Sequence, residues 1–214
     1  MARSRTWYPK LIQFFPKDEP VARLMARLFV LWQDLLYEQT GIIEDDGFQV
    51  LDRKGSGDLQ RRLYFLRANS RTLNSAKNLF DNLVADPTFS GWLEEDARLS
   101  ARVFEAKELF DRHRQAVDRV RNSVGAHVEK DVGDAIANFV PGDYARFELH
   151  SEDVMRPHLA TEILLAALTP GAPEAKRLEA YRAAVAPLAK ATNAMISAMA
   201  EVAAVYMTLF RLFP

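Results

Sequence analysis

The sequence contains no cysteine among its 214 residues. This absence excludes disulfide bonds, thiolate nucleophiles, zinc–thiolate sites and iron–sulfur clusters, and it fits a reducing compartment. We therefore predict a cytoplasmic protein. An excess of charge of one sign is also lacking, because 28 basic residues face 29 acidic ones and the formal net charge is −1. Local patches must then decide any recognition of a charged partner.

The sequence also lacks the pattern of a signal peptide or a membrane span. The basic N-terminus is not followed by an apolar core, because Pro9 and Pro16 interrupt the stretch. The most apolar segment, residues 194–213, contains Glu201 and Arg211, which favours a buried or interface helix over a membrane span. We therefore expect no membrane partner.

Helical periodicity dominates what is present. With 49% hydrophobic and 27% charged residues, the chain has the composition of a globular protein with a substantial core. We predict a mostly α fold, a bundle of long antiparallel helices with at most a small two-strand element. Its sections are an extended N-terminal arm over residues 1–19, a helical core over residues 20–140, and a C-terminal helical extension over residues 141–214, packed on the same domain.

Apolar spacing and punctuation by glycine and proline predict the individual elements. Helices are expected over residues 20–38, 58–86, 88–96, 97–124, 128–140, 157–168 and 174–212, with strands over 47–52 and 145–150. Pro187 is expected to kink the last helix. The helix over residues 97–124 has an apolar seam with steps of three, four or seven residues. The seam residues are Leu99, Val103, Ala106, Phe110, Val117, Val120 and Val124.

The segment that most clearly suggests chemistry, Arg121-Asn122-Ser123-Val124-Gly125-Ala126-His127, ends this long helix. Arginine is permanently cationic and histidine exchanges protons near neutral pH, so together they can hold a phosphate and move a proton beside it. On a continuous helix, however, the two side chains would lie about 120° apart. They can converge if the chain turns at the glycine, or if a second copy contributes across a two-fold axis.

This segment resembles the signature of the HEPN superfamily, all-α domains whose motif is an arginine, four to six residues and a histidine. A polar residue commonly follows the arginine, as Asn122 follows Arg121 here, and His127 completes the motif. Residues 64–73 are also similar to segments in bacterial members, and the resemblance covers about residues 20–140.

The resemblance implies a metal-independent endoribonuclease of a toxin–antitoxin or phage-defence system, with RNA as substrate and an antitoxin protein as a further partner. It implies a homodimer that joins two motifs in one cleft, and it implies no cofactor. His127 would act as general base or acid. Arg121 would stabilise charge on the phosphate, and Asn122 would orient the phosphate or the histidine.

Two other interpretations of the chain are open. In the first, Arg121 pairs with a carboxylate such as Asp118 or Glu129, and His127 caps the C-terminus of the helix. In the second, the chain is a non-catalytic helical module that binds RNA or a partner protein. Its adaptable contact surface would include three methionines of the last helix, which are equally typical of an ordinary core. These methionines are Met195, Met199 and Met207.

Residues 53–77 carry seven basic residues against one aspartate. Tyr64 and Phe65 are interleaved with them, so phosphate contacts and base stacking would make this segment an RNA-binding face. The predicted RNA-binding residues are Arg61, Arg62, Arg67 and Arg71. The alternative is a solvated helix face neutralised by acids such as those at positions 44–46, with the aromatic pair in the core.

We predict no metal site. His158 and Glu162 lie four residues apart on a predicted helix, with further acids nearby in sequence. One histidine and one carboxylate at this spacing are more typical of a surface pair than of a divalent-metal site.

Overall fold

The computed structural model describes residues 10–43, 56–122, 147–149, 155–157, 166, 168–169 and 171–209. Over these ranges the protein is an all-α bundle with one small two-stranded sheet, as the sequence predicts. Six helices have complete bounds: α1 (Leu11–Phe14), α2 (Pro20–Ile43), α3 (Ser56–Ala85), α4 (Pro87–Glu95), α5 (Ala97–Val120) and α6 (Glu174–Leu209). The strands are β1 (Phe147–Leu149) and β2 (Met155–Pro157).

The bundle is built on lengthwise contacts between long helices. α2 packs along α3, and α5 packs along α6, while α2 and α3 also contact α6. Glu38 contacts Thr72, whereas Gly41, three residues later on α2, lies against Phe65, seven residues earlier on α3, so α2 and α3 are antiparallel. The apolar faces of the helices meet in one continuous core.

The seam predicted on α5 is confirmed wherever the structure describes it. Each of its first six residues is at most 2% exposed. They pack toward α6 and α3, because a row of apolar side chains at helical spacing forms a single stripe that must be covered. The seventh position, Val124, lies outside the described residues.

Two aspartates determine where α4 and α5 begin. The Asp86 carboxylate accepts hydrogen bonds from the N–H groups of Thr88 and Phe89, and Pro87 takes the first helical position. The Asp96 carboxylate caps α5 in the same way. These side chains satisfy N–H groups that have no partner inside their helices. Pro87 therefore ends the predicted helix and also opens the next one.

The N-terminal arm is not extended throughout, which corrects the prediction for residues 1–19. The short helix α1 lies within it, and the Phe14 and Phe15 rings contact Phe29 and Tyr206. The Tyr206 hydroxyl donates a hydrogen bond to the Phe14 carbonyl oxygen. Packing of these rings against the bundle holds this part of the arm in a folded conformation, which the prolines on either side of α1 did not indicate.

The two strands form an antiparallel pair in which Glu148 lies opposite Arg156. β1 falls inside the strand predicted over residues 145–150. The helix predicted from residue 157 is wrong at its start, because Pro157 belongs to β2, whereas Ala166 and Leu168 are helical as expected. The predicted strand over residues 47–52 and the predicted helix over residues 128–140 lie outside the described residues.

The last helix, α6, supplies part of the core. Met195 and Met199 are fully buried, so the interpretation of these methionines as ordinary core is confirmed. Met207 is partly buried. Pro187 lies inside the helix, where it has no N–H to donate to the preceding turn.

Candidate functional site

The predicted catalytic segment begins where α5 ends. The Arg121 backbone is still helical, with φ −57° and ψ −46°, and its N–H reaches the carbonyl oxygens of Val117 and Asp118. Arg121 and Asn122 lie in a wider, π-type turn, and both residues are partly exposed. The end of α5 therefore presents a guanidinium and an amide side by side at an accessible surface.

The Arg121 guanidinium is held by two polar neighbours. Its Nη2 atom lies 3.2 Å from Asp118 Oδ1, and its Nε–H donates to Asn122 Oδ1 at 3.3 Å. Arg114 Nε lies 3.8 Å from the other oxygen of the same aspartate. The interpretation that pairs Arg121 with Asp118 is thus confirmed. A guanidinium has five N–H donors, so these contacts orient the group and leave donors for a phosphate.

The rest of the motif lies outside the described residues. This applies to Gly125, where a turn is predicted, to His127, and to Glu129, the other carboxylate considered as a partner for Arg121. The convergence of Arg121, Asn122 and His127 stays a prediction, and so does the contribution of a second copy of the chain.

The four arginines predicted to bind RNA do not share one environment. Arg61 and Arg71 are exposed and Arg67 is partly exposed, whereas Arg62 is only 2% exposed. At about 100° per residue, Arg61, Arg67 and Arg71 fall within an arc of about 120° on α3, and Arg62 lies outside this arc toward the core. Its positive charge acts on the buried Tyr181 of α6. Arg62 is therefore a core residue, which corrects its place in the predicted RNA-binding set.

Aromatic side chains lie next to the exposed arginines. Tyr64 is 67% exposed, so the alternative that places both aromatic residues of this pair in the core is wrong for the tyrosine. The Phe65 ring is centred 5.5 Å from the Tyr64 ring and 5.5 Å from the Tyr37 ring of α2, both in edge-to-face geometry. Tyr37 is 70% exposed. We call Tyr37, Tyr64 and Phe65 the aromatic cluster.

Gly41 lets α2 lie close to the Phe65 ring of α3. A methyl group at Gly41 would lie 2.3–2.5 Å from atoms of the Phe65 ring, whereas one at Gly91 of α4 would meet nothing within 4 Å. Both glycines lie inside helices, where alanine is intrinsically better by about 1 kcal/mol. The two positions therefore separate helix propensity from steric overlap.

We expect Gly41→Ala to destabilise the protein and Gly91→Ala to stabilise it. Overpacking against Phe65 should cost about 1–3 kcal/mol, and the gain in helix propensity offsets at most about 1 kcal/mol of this cost. At Gly91 only that gain remains, up to about 1 kcal/mol. Urea denaturation of both variants measures the difference. Equal stabilisation by both substitutions would show that Phe65 does not pack on Gly41.

A buried polar cluster joins three helices beneath this surface, and sequence reasoning missed it. Glu38 of α2 is 8% exposed, and its Oε1 atom accepts a hydrogen bond of 2.7 Å from the Thr72 hydroxyl of α3. Asn69 of α3 faces the same carboxyl and accepts a 2.8 Å hydrogen bond from the Thr192 hydroxyl of α6. Glu38 Oε2 and Asn69 Nδ2 are buried without a hydrogen-bond partner among the described residues.

The environment of Glu38 favours its neutral form. Burial raises the pKa of this carboxyl from 4.5 to about 7, because a charge loses hydration there. The negative charge of Asp34, one turn earlier on α2, adds to the increase, while the hydrogen bond from Thr72 and the polar side chain of Asn69 oppose it. The carboxyl therefore titrates near neutrality within a junction of three helices.

A separate basic feature lies at the other end of α2. An open cavity of about 580 Å³ is lined by the cations Lys17, Arg23 and Arg27, together with the acids Asp18 and Asp86. The Asp86 carboxylate already caps α4. Arg23 and Tyr37 are separated by about 21 Å along the helix axis, so this cavity is distinct from the aromatic cluster.

No family model, curated protein or solved structure matches this chain. In the part of the chain that the structure describes, no group of three or more histidine, aspartate or glutamate side chains is arranged to hold a metal ion. His158 and Glu162 lie outside that part. None of the described helices is both long enough and apolar enough to cross a membrane.

Proposed function

We propose that the protein is a HEPN-like, metal-independent endoribonuclease whose site is formed by Arg121, Asn122 and His127. The observation that carries the proposal is the arrangement at the end of α5. There, Arg121 and Asn122 are hydrogen-bonded to each other at a partly exposed surface of an all-α bundle. This is the position and the neighbourhood that the resemblance implies for the motif.

The proposed reaction is attack by the RNA on its own backbone. His127 takes the proton of a ribose 2′-hydroxyl, and the resulting oxygen attacks the adjacent phosphorus. The bond from phosphorus to the 5′-oxygen breaks, and that oxygen takes up a proton from an acid. The products are a 2′,3′-cyclic phosphate and a 5′-hydroxyl. The Arg121 guanidinium stabilises the negative charge that accumulates on the phosphate oxygens.

A homodimer is part of the proposal. On a continuous helix Arg121 and His127 would point about 120° apart, so one copy of the helix does not by itself make a complete site. A second copy related by a two-fold axis would bring another Arg121 and another His127 into one cleft. A cytoplasmic toxin or phage-defence nuclease, controlled by an antitoxin protein, is the setting that we infer for such a dimer.

We expect the purified protein to cleave RNA in the presence of EDTA and to leave DNA of the same sequence intact. The 2′-hydroxyl is the proposed nucleophile, and DNA does not have one. Gel analysis of end-labelled strands, with mass spectrometry of the new ends, measures this. A cyclic phosphate at the 3′ end is the expected product. Cleavage of the DNA as well as the RNA, or cleavage that EDTA abolishes, would contradict the mechanism.

A second candidate function is a non-catalytic module that binds RNA or a partner protein. The contact that favours it is the ion pair of Arg121 with Asp118, a carboxylate that also lies close to Arg114. An arginine whose role is to fix the end of α5 would have such a partner. If the protein bound RNA but produced no cleavage products in the experiment above, this function would replace the nuclease.

A further inference from the structure

The aromatic cluster is unusual for its exposure. Tyr37 and Tyr64 come from different helices, and each exposes about seven-tenths of its surface. Most large apolar side chains of the described bundle are buried instead. Phe65 lies between the two tyrosines and contacts both rings at steep interplanar angles, while each tyrosine keeps most of its surface open to solvent. Two supported, exposed aromatic rings are thus presented at one surface.

The charged residues of α3 near the aromatic cluster are all basic. Arg61, Tyr64, Arg67 and Arg71 share the solvent-facing arc of this helix, over about 15 Å of its length. From residue 61 to residue 80 the sequence of α3 contains no acidic residue. On α2, the nearby acids are Asp34, which is exposed one turn before Tyr37, and Glu38, which is buried. Flat aromatic faces are therefore combined with guanidinium groups that can contact phosphates.

We propose that Tyr37 and Tyr64, with Arg61, Arg67 and Arg71, form a platform that binds single-stranded RNA by stacking on its unpaired bases. The inference rests on the proposed function for RNA as the ligand, and it adds that the strand must be unpaired. An aromatic face can stack on a base only when that base is not stacked in a duplex. The arginines would track the backbone beside the bases.

The charge of this surface favours a nucleic acid over a protein partner. A protein that docked on the tyrosines would meet a helix face whose charged residues, Arg61, Arg67 and Arg71, are all basic. A polynucleotide supplies a negative charge with every base that stacks, so one ligand satisfies both features. Phe65 and the close approach at Gly41 fix the tyrosines before binding, which reduces the entropy lost on association.

The platform can be tested separately from catalysis by measuring binding alone. Fluorescence anisotropy with a labelled oligouridine in EDTA reports the affinity of the full chain for single-stranded RNA. An oligothymidine of equal length, which lacks the 2′-hydroxyl and so cannot undergo the proposed reaction, serves as an uncleavable probe. We expect both strands to bind, and an RNA hairpin with a minimal loop to bind at least tenfold more weakly.

We expect Tyr37→Ala and Tyr64→Ala each to weaken binding of single strands about tenfold, since each change removes one stacking face. Tyr37→Phe and Tyr64→Phe keep the face and should bind within about twofold of wild type. Phe104→Ala is the matched control, because Phe104 is an exposed aromatic residue of α5 with a lysine over its ring. Arg61→Ala should make the plot of the logarithm of the binding constant against the logarithm of the salt concentration less steep, by about 0.7 in slope.

The outcomes separate the platform from the nuclease. If the tyrosine-to-alanine variants bind as wild type does, or if Phe104→Ala causes the same loss, the platform is wrong even when the protein cleaves RNA. If single strands bind through the tyrosines but no cleavage occurs, the platform is supported and the proposed nuclease activity is contradicted. Equal affinity for the hairpin and the single strand would also overturn the inference. Circular dichroism of each variant establishes that its helices are retained.

Discussion

A protein with His127→Ala is expected to cleave RNA about 10²–10⁴-fold more slowly than wild type, because the proposed general base or acid is removed. Arg121→Ala is expected to slow cleavage about 10²–10³-fold, since charge on the phosphate then loses its stabilising partner. Both reductions refer to cleavage rates measured under single-turnover conditions, with end-labelled RNA in the presence of EDTA. Under these conditions product release does not mask the chemical step.

The matched control for the first variant is His113→Ala. His113 is a partly exposed histidine of α5, and it is not part of the motif. Its substitution should leave the cleavage rate within about twofold of wild type, whereas a general loss of histidine charge or of helix stability would affect both variants. Equal cleavage by wild type and His127→Ala would exclude His127 from the reaction.

Two substitutions separate the roles of Arg121. Arg121→Lys keeps the positive charge but loses the planar fork, so its rate should fall between those of wild type and Arg121→Ala. Asp118→Asn removes the carboxylate that holds the guanidinium at 3.2 Å. If that ion pair only positions the arginine, Asp118→Asn should slow cleavage by about tenfold or less. A larger loss than that of Arg121→Ala would assign the aspartate its own part in the chemistry.

Features encoded within a single helix could be predicted from the sequence. The buried seam of α5 follows from apolar residues at helical spacing. The starts of α4 and α5 follow from the residues that precede them, because an aspartate before a helix satisfies its first N–H groups. Such signals act over a few residues, so they hold whatever the helix packs against.

Features that depend on which side of a helix is covered could not be predicted in the same way. Arg61 and Arg62 are adjacent in sequence but lie about 100° apart around α3. Only the positions of α2 and α6 decide that the first faces water and the second faces the core. The exposure of Tyr64 has the same origin, and the role of Tyr37 required knowledge that α2 lies beside Phe65.

Glu38 shows a signal that the sequence does contain. Leu24, Leu28, Leu31 and Leu35 define one face of α2, and the next position of that face, three residues on, is Glu38. A carboxyl at a seam position must be buried, and a buried carboxyl must find hydrogen-bond donors or stay protonated. The donor that it finds is Thr72 of α3, so the pattern of α2 indicates that a donor is needed but not which residue supplies it.

The pKa of Glu38 predicts how the stability of the fold depends on pH. Below pH 4.5 the carboxyl is protonated in both the folded and the unfolded chain. Between pH 4.5 and about pH 7 the unfolded chain releases its proton while the folded chain keeps it. Folding then binds a proton, so the free energy of unfolding decreases as the pH rises through this window. Above pH 7 the full loss is present, at most about 3 kcal/mol.

Glu38→Gln is therefore expected to stabilise the protein at pH 8 and to remove most of the decrease between pH 4.5 and pH 7. The amide has nearly the same shape and stays neutral, and its oxygen can still accept the hydrogen bond from Thr72. Urea denaturation of both proteins at several pH values measures the difference. Other titrating groups cancel in that comparison, since they are present in both chains.

Glu94→Gln is the control for this experiment, because Glu94 is an exposed residue of α4 and its neutralisation changes only surface charge. Its stability should follow that of wild type within about 0.5 kcal/mol at every pH. If Glu38→Gln also ran parallel to wild type across the window, Glu38 would be ionised in the folded protein. The junction of α2, α3 and α6 would then have to stabilise a buried negative charge, and the hydrogen bond from Thr72, with the neighbouring Asn69 side chain, would outweigh the loss of hydration.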